Sequence, residues 1–287
     1  MARALEAHLG SRLVSGFVVT HSSEAAHGLS DRWEVCVGSH PRPDESSLLA
    51  GERLSEWILG LPEDAEVFAC LSGGASAILE SPKPGFTLAD FQALLDQSFA
   101  EGWTIEQLNQ ERARRSLFKG GGLADLLGSK LKAVYCLSDV EPGRLEALGS
   151  GPFWSPQTAT IHHLAADRNW VLPIAEEACL RAGLEPVPCG SLSKDISDWV
   201  KGDFAPAISC AKPGTACLWT GELTLRLGEN PPPGGRCHEA AAWASTMMKP
   251  GQACAAFGTD GMDGTSGGAG AVTVPPPGML RCPETAL

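Results

Sequence analysis

Apolar positions recur along the chain in two alternating patterns. Short β-type runs at residues 13–20 (LVSGFVVT), 33–37 (WEVCV), 66–71 (EVFACL) and 131–137 each predict a strand. Segments with helical spacing lie between them. Leu48, Leu49, Leu54, Trp57 and Ile58 form an approximate stripe over 45–59, and helices are also predicted over 4–9, 87–99 and 104–116. Thr104 followed by Gln107 fits the reciprocal cap that opens a helix. Residues 75–79 read as the start of a helix directly behind a strand and Ser72-Gly73-Gly74. The second half repeats the theme, with helices predicted over 171–182, 193–200 and 239–248 and strands over 185–188, 216–220, 222–227 and 253–258. Strands alternating with helices predict an α/β fold. The Gly-, Pro- and Ser-rich stretch at 149–160 (GSGPFWSPQTAT) marks the expected boundary between a first domain, 1–156, and a second, 157–287.

Composition narrows the classes of function. The 287 residues carry 34 acidic and 22 basic side chains, a net charge of −12. That balance argues against nucleic acid or an anionic membrane as partner, but it allows a small anion in a local basic pocket. The 33 glycines and 21 prolines have no Gly-X-Y period, so they predict tight turns and backbone-lined loops. An apolar content of 43% excludes a disordered chain. No apolar run reaches the roughly 18 residues of a membrane span, and residues 1–20 lack the pattern of a signal peptide. The ten cysteines form no C-x-x-C pair and sit in apolar runs, which predicts buried free thiols in a reducing cytoplasm.

Candidate chemistry lies in glycine-rich junctions at strand ends, where parallel α/β sheets bind ligands. Ser72, Gly73, Gly74 and Ser76 form one junction, suited either to an anion at a helix start or to a plain βα turn. Arg112, Arg115, Ser116 and Lys119 are spaced to share a helix face that ends at Gly120-Gly121-Gly122. That face suits a carboxylate or phosphate, or is a solvated basic surface. Asp139 at a strand end suits Mg²⁺, general-base work or an Asx-turn, and Ser150-Gly151 follows in a small-residue loop. Gly235, Arg236 and Glu239 open a helix, and Asp260 and Asp263 stand three apart on a glycine loop suited to magnesium and phosphate. Gly264-Thr265-Ser266-Gly267-Gly268 matches a serine nucleophile elbow, but no histidine follows Ser266, which argues against a hydrolase.

The order of these loops carries a resemblance. HPRPDE (40–45), LSGGASA (71–77), N-x-x-R-x₃-S-x-x-KGG-x-LA (109–124), LSDV…GSGP (137–152), GELT (221–224), GGR-x-x-E (234–239) and GTDGMDG (258–264) follow one another as in the class II glycerate kinases. The C-terminal half of that family carries the MOFRL domain. The resemblance implies two Rossmann-like α/β domains with a cleft between them. It implies ATP-dependent phosphorylation of D-glycerate, or a close hydroxy acid, at the 2-hydroxyl with Mg²⁺, in a cytoplasmic protein with a homodimer allowed. Within it, Ser72, Gly73, Gly74, Ser76, Arg112, Gly120, Gly121, Ser150 and Gly151 are assigned to substrate or phosphate oxygens. Lys119, Asp139 and Arg236 are assigned to catalysis. Gly235 and Glu239 are assigned to substrate or phosphate binding and, with Arg236, are expected to close over the site, while Asp260 and Asp263 are expected to place metal or nucleotide. The family's N-terminal Gly-Lys-Ala lysine has no counterpart here, and the chain is expected to be truncated at its N-terminus, linker and C-terminus. The alternative is a non-catalytic paralogue that binds a sugar acid or nucleotide as a sensor or subunit.

Overall fold

The computed structural model describes residues 1–140, 144–225, 233–259 and 261–275. The chain divides into two compact units, Met1–Asp167 and Arg168–Leu287, each of α/β type.

In the first unit the order is α1 (Ala2–Leu9), β1 (Gly16–Thr20), β2 (Trp33–Val37), α2 (Glu45–Leu59), β3 (Val67–Ser72), α3 (Ala75–Ile78), α4 (Leu88–Glu101), α5 (Ile105–Arg115), α6 (Gly122–Leu127), β4 (Leu131–Ser138) and β5 (Ile161–Asp167). Strands β1 and β2 pair in parallel, and β3, β4 and β5 form a second parallel sheet in that order. Strand β5 therefore belongs with the first unit, and the expected boundary after residue 156 falls just ahead of it. Period-two alternation puts Val67, Ala69 and Leu71 on one face of β3. Leu131, Val134 and Cys136 of β4 join them beneath Ile58 of α2, Phe118, Leu148, and Leu123, Ala124 and Leu127 of α6. Each large apolar side chain buried there stabilises the unit by about 1.5–3 kcal/mol.

The helices start where their caps predict. Asp44 accepts from the Ser46 amide at 2.8 Å to open α2, and Thr104 and Gln107 bond reciprocally at 3.3 and 2.8 Å to open α5. The buried face of α2 carries the small residues Ser47, Ala50 and Gly51. This lets the segment after α3 approach closely. The Glu80 amide donates to Ser47 O at 3.1 Å, and a Cβ on Gly51 would fall 1.9 Å from Glu80 O.

The second unit contains α7 (Val171–Arg181), β6 (Glu185–Leu192), α8 (Ile196–Trp199) running into a π turn (Val200–Phe204), α9 (Ala205–Cys210), β7 (Thr215–Gly221), α10 (Arg236–Met247), β8 (Cys254–Phe257) and β9 (Gly270–Thr273). Strands β6 and β7 are parallel, and β8 and β9 antiparallel. Trp199, Phe204 and Trp219 pack ring against ring at 5.1–5.9 Å between centroids, with Ile196, Val200, Ala240 and Ala244 around them.

Two expectations need correction here. The strand expected over 222–227 is reduced, among its described residues, to one bridge between Thr224 and Asp195. All nine described cysteines are free, as expected, but Cys136 alone of them is buried and Cys210 is exposed; Cys282 lies outside the described residues. Among the described residues no helix is long and apolar enough to cross a membrane.

Candidate functional site

The parallel register of β3 and β4 builds the first half of the site. Ser72 stands opposite Leu137, so the turn after β3 lies beside Ser138 and Asp139. The two are in close contact: a Cβ on Gly73 would sit 1.9 Å from Asp139 Oδ2 and 2.7 Å from its Cγ. The His40 ring borders the next residue, 3.4 Å from where a Gly74 Cβ would be. Ser72 and Gly73 are exposed. The helix expected after them is α3, a single turn of four residues, too short for an aligned helix dipole to hold an anion by itself. Ser76 lies within that turn, half-buried.

The second half comes from α5 and the loops behind it. The expected common helix face is not formed as such, because α5 stops at Arg115 and Lys119 lies beyond it. Arg115 pairs with Glu111 at 2.5 Å and Arg114 with the same residue at 2.8 Å. Three residues of α5 and its cap turn inward instead. The Ser150 hydroxyl donates to Asn109 Oδ1 at 2.8 Å, Ser116 is fully buried, and Arg112 is only 8% exposed.

Arg112 forms no hydrogen bond or ion pair through its guanidinium with any described residue. Burial pushes that guanidinium below its ordinary range, and the Glu80 carboxylate acts in the opposite direction. Lys119 is also buried, and its ammonium donates to Ala75 O at 3.1 Å and Leu79 O at 2.8 Å. Burial lowers its pKa and nearby Arg112 lowers it further, while Glu80 raises it. Glu80 itself, 1% exposed, accepts from the Ser116 hydroxyl and from the Ser81 amide. No motif marks Glu80, and only its burial identifies it.

Several assigned residues prove to be scaffold. The Gly120 amide donates to Ser150 O at 3.0 Å and the Gly121 amide to Gly151 O at 2.7 Å. Both donors are thus occupied, which corrects their assignment to phosphate oxygens. Pro152 O takes the Leu123 and Ala124 amides at 2.9 and 3.1 Å, so the start of α6 is closed as well. These bonds lace the Lys-Gly-Gly-Gly loop to the Gly-Ser-Gly-Pro loop, and Ser150 adopts φ 64° within it. Lys119 holds the last turn of α3 through two carbonyls, a structural contact that its catalytic assignment did not foresee.

In the second unit, Asp263 is 6% exposed and caps α10. It accepts from the Cys237 amide at 2.9 Å, the His238 amide at 2.8 Å and His238 Nδ1 at 2.6 Å. Burial pushes its carboxyl upward, but those donors outweigh it and leave the pKa below the usual value. Gly235 is required beneath it, since a Cβ there would lie 2.2 Å from Asp263 Oδ1. The carboxylate is thus engaged in capping α10, a contact that its expected metal role did not include. Asp260 lies outside the described residues. Among the described residues no group of three His, Cys, Asp or Glu side chains could hold a metal ion. Arg236 is exposed and pairs with Glu222, and Glu239 accepts from Trp243 Nε1 at 2.9 Å. Ser266 donates to Gly268 O within its turn, in keeping with its exclusion as a nucleophile.

Comparison with known proteins agrees with this layout. Residues 1–177 match the model of DUF4147, described as a domain of unknown function, and residues 215–278 match that of the MOFRL family. The chain is 32% identical over 231 residues to an Agrobacterium vitis protein whose name proposes a hydroxypyruvate reductase, covering 80% of this chain and 51% of that one. It is 31% identical over 188 residues to the D-glycerate 2-kinase of Thermotoga maritima, covering 66% and 45%. The chain thus spans about half the length of these relatives. Its fold matches the crystal structure of a Thermotoga maritima glycerate kinase with a TM-score of 0.78 and 25% identity, over 96% of this chain and 76% of that one.

Proposed function

The chain belongs to the class II glycerate kinase family, and on that premise we propose that it transfers a phosphoryl group from ATP to the 2-hydroxyl of D-glycerate. Arg112 carries this reading. Arg112 is 8% exposed, its guanidinium has no hydrogen-bond partner among the described residues, and the nearby Glu80 carboxylate does not outweigh the cost of burying its charge. Its planar fork of N–H donors fits a carboxylate in bidentate fashion, which offsets that penalty. The glycerate carboxylate is therefore assigned to Arg112. Asp139, at the strand tips beside Gly73, orients the reacting hydroxyl and accepts its proton. Ser72 and Gly73, exposed at the same tips, are assigned to phosphoryl oxygens. In the second unit Arg236 keeps its assignment to catalysis and Gly235 its assignment to substrate or phosphate oxygens.

Magnesium commonly binds through one or two carboxylates and otherwise through substrate phosphates and water. Asp139, at the strand tips, is the carboxylate assigned to this role. The ion, when bound, neutralises charge on the transferring phosphates. The chain's own contribution is positioning: a buried cation fixes one end of the acid while a strand-end carboxylate addresses the hydroxyl next to it.

The test is ADP release by the purified chain with D-glycerate and Mg-ATP, with the product's phosphorylated carbon identified by NMR. Turnover is expected, abolished in Asp139→Ala, with KM for glycerate raised about 30-fold or more in Arg112→Met. Absence of ADP release with any hydroxy acid, or an unchanged KM in Arg112→Met, would refute the reading. A parallel assay with hydroxypyruvate and NADH tests the reductase name carried by one relative, and no NADH oxidation is expected.

A further inference from the structure

Glu80 has no part in the chemistry above, yet it lies beside both cations: it accepts from the hydroxyl of Ser116, whose amide bonds Arg112 O at 2.9 Å, and the Lys119 ammonium bonds the carbonyl of the preceding residue, Leu79, at 2.8 Å. It forms no ion pair with either. Its Oε1 instead accepts from the Ser116 hydroxyl and the Ser81 amide, and its main chain is stapled to α2 through Ser47. Glutamine could accept the same two bonds and fill the same volume, so packing alone does not call for a charge here. Two basic side chains and one acidic side chain thus share one buried region, with a single base in excess. Without Glu80 the excess would be two.

Charge balance governs which anion such a region accepts, because excess charge in a poorly solvated site is strongly penalised. A monoanionic carboxylate brings the region to neutrality. A phosphate dianion overshoots and leaves a buried negative excess. We propose that Glu80 is the specificity-determining residue of this site, trimming its charge so that a monoanionic carboxylate is held at Arg112 in preference to a phosphate dianion. The proposal rests on the assignment of the substrate carboxylate to Arg112.

The experiment is thermal stabilisation of the full chain by D-glycerate and by inorganic phosphate, above neutral pH where the latter is a dianion. Wild type is expected to reach half-maximal stabilisation at a glycerate concentration about tenfold or more below that for phosphate. Glu80→Gln, which keeps shape and acceptor, erases or reverses that preference. Glu80→Asp, which keeps charge but not shape, retains it. A structural role predicts the opposite order for the two variants. Should two unbalanced cations prevent Glu80→Gln from folding, the double variant Glu80→Gln with Lys119→Gln restores a single net charge and is expected to restore the preference for glycerate.

An equal preference in wild type and Glu80→Gln, or a wild type that favours phosphate, overturns the proposal. Turnover is not read in this experiment. A chain that prefers glycerate but releases no ADP would refute the kinase reading and leave charge selection standing.

Discussion

Replacing Gly73 by alanine probes the strand-tip geometry with one methyl group. The added Cβ would lie 1.9 Å from Asp139 Oδ2 and 2.7 Å from its Cγ. Ordinary contact needs about 3.5 Å, so the carboxylate must move by roughly 1.5 Å. Gly73 does not use the left-handed region, so the backbone tolerates the change. The obstructing atoms are the tip of a side chain, which can rotate aside. The stability loss therefore falls at the low end of the overpacking range, about 1 kcal/mol. Activity responds differently, because a displacement of about 1 Å at a reacting group costs on the order of 100-fold in rate. The assay is kcat from coupled ADP release, beside a calorimetric melting curve on the same preparation. A hundredfold fall in kcat with a nearly unchanged melting curve is the expected result. Wild-type kcat in a folded Gly73→Ala would remove Asp139 from the reaction.

Other consequences are local to each unit. Gly121 sits at φ 92° with a would-be Cβ 2.8 Å from Trp154 O, so Gly121→Ala is expected to lose about 2 kcal/mol or more in chemical denaturation through backbone strain. Asp263→Asn should weaken the cap of α10 by about 1–2 kcal/mol while leaving magnesium affinity unchanged, read by denaturation and by titration of the metal alone. Because the Asp263 pKa is lowered on folding, its contribution is complete above about pH 4 and disappears as pH falls through the lowered value. Asp263→Asn should therefore flatten the acid limb of the stability curve. Lys119 has the same sign at higher pH: its pKa is lowered on folding, so the unfolded chain binds the extra proton and stability rises with pH towards the ordinary lysine range. That rise should be absent in Lys119→Met, measured by denaturant titration across alkaline pH.

The fold was legible where local signals agreed. Helix α2 and strand β2 begin and end where their patterns predict, and the Thr104–Gln107 pair marks the start of α5. Strand β5 escaped notice because Ile161–Asp167 mixes apolar residues with His162, His163 and Asp167 in no alternation and is largely exposed. Strand β9 is hidden in a glycine-rich tail, held by its pairing with β8 and its packing against α10. Residues 193–200 read as one helix, but the Asp195 side chain caps the chain two residues in, at the Ser197 amide, so α8 starts at Ile196.

Spacing located the Arg112 segment but could not rank its cations. Arg112 is buried and its guanidinium has no hydrogen-bond partner among the described residues, whereas Arg114 and Arg115 pair with Glu111, a distinction made by tertiary packing. The glycines of 120–121 looked like anion donors because sequence does not reveal that residues 150–151 consume their amides. Asp263 looked like a metal ligand for the same reason, its partners lying about two dozen residues away at the start of α10. Glu80 carried no motif, since its significance comes from which charges surround it.

A crystal structure of the chain grown with D-glycerate tests the central claim most directly. The account predicts the ligand carboxylate within about 3 Å of the Arg112 guanidinium nitrogens, with the 2-hydroxyl turned towards Asp139. Glycerate bound elsewhere, with Arg112 still lacking a partner, would contradict it.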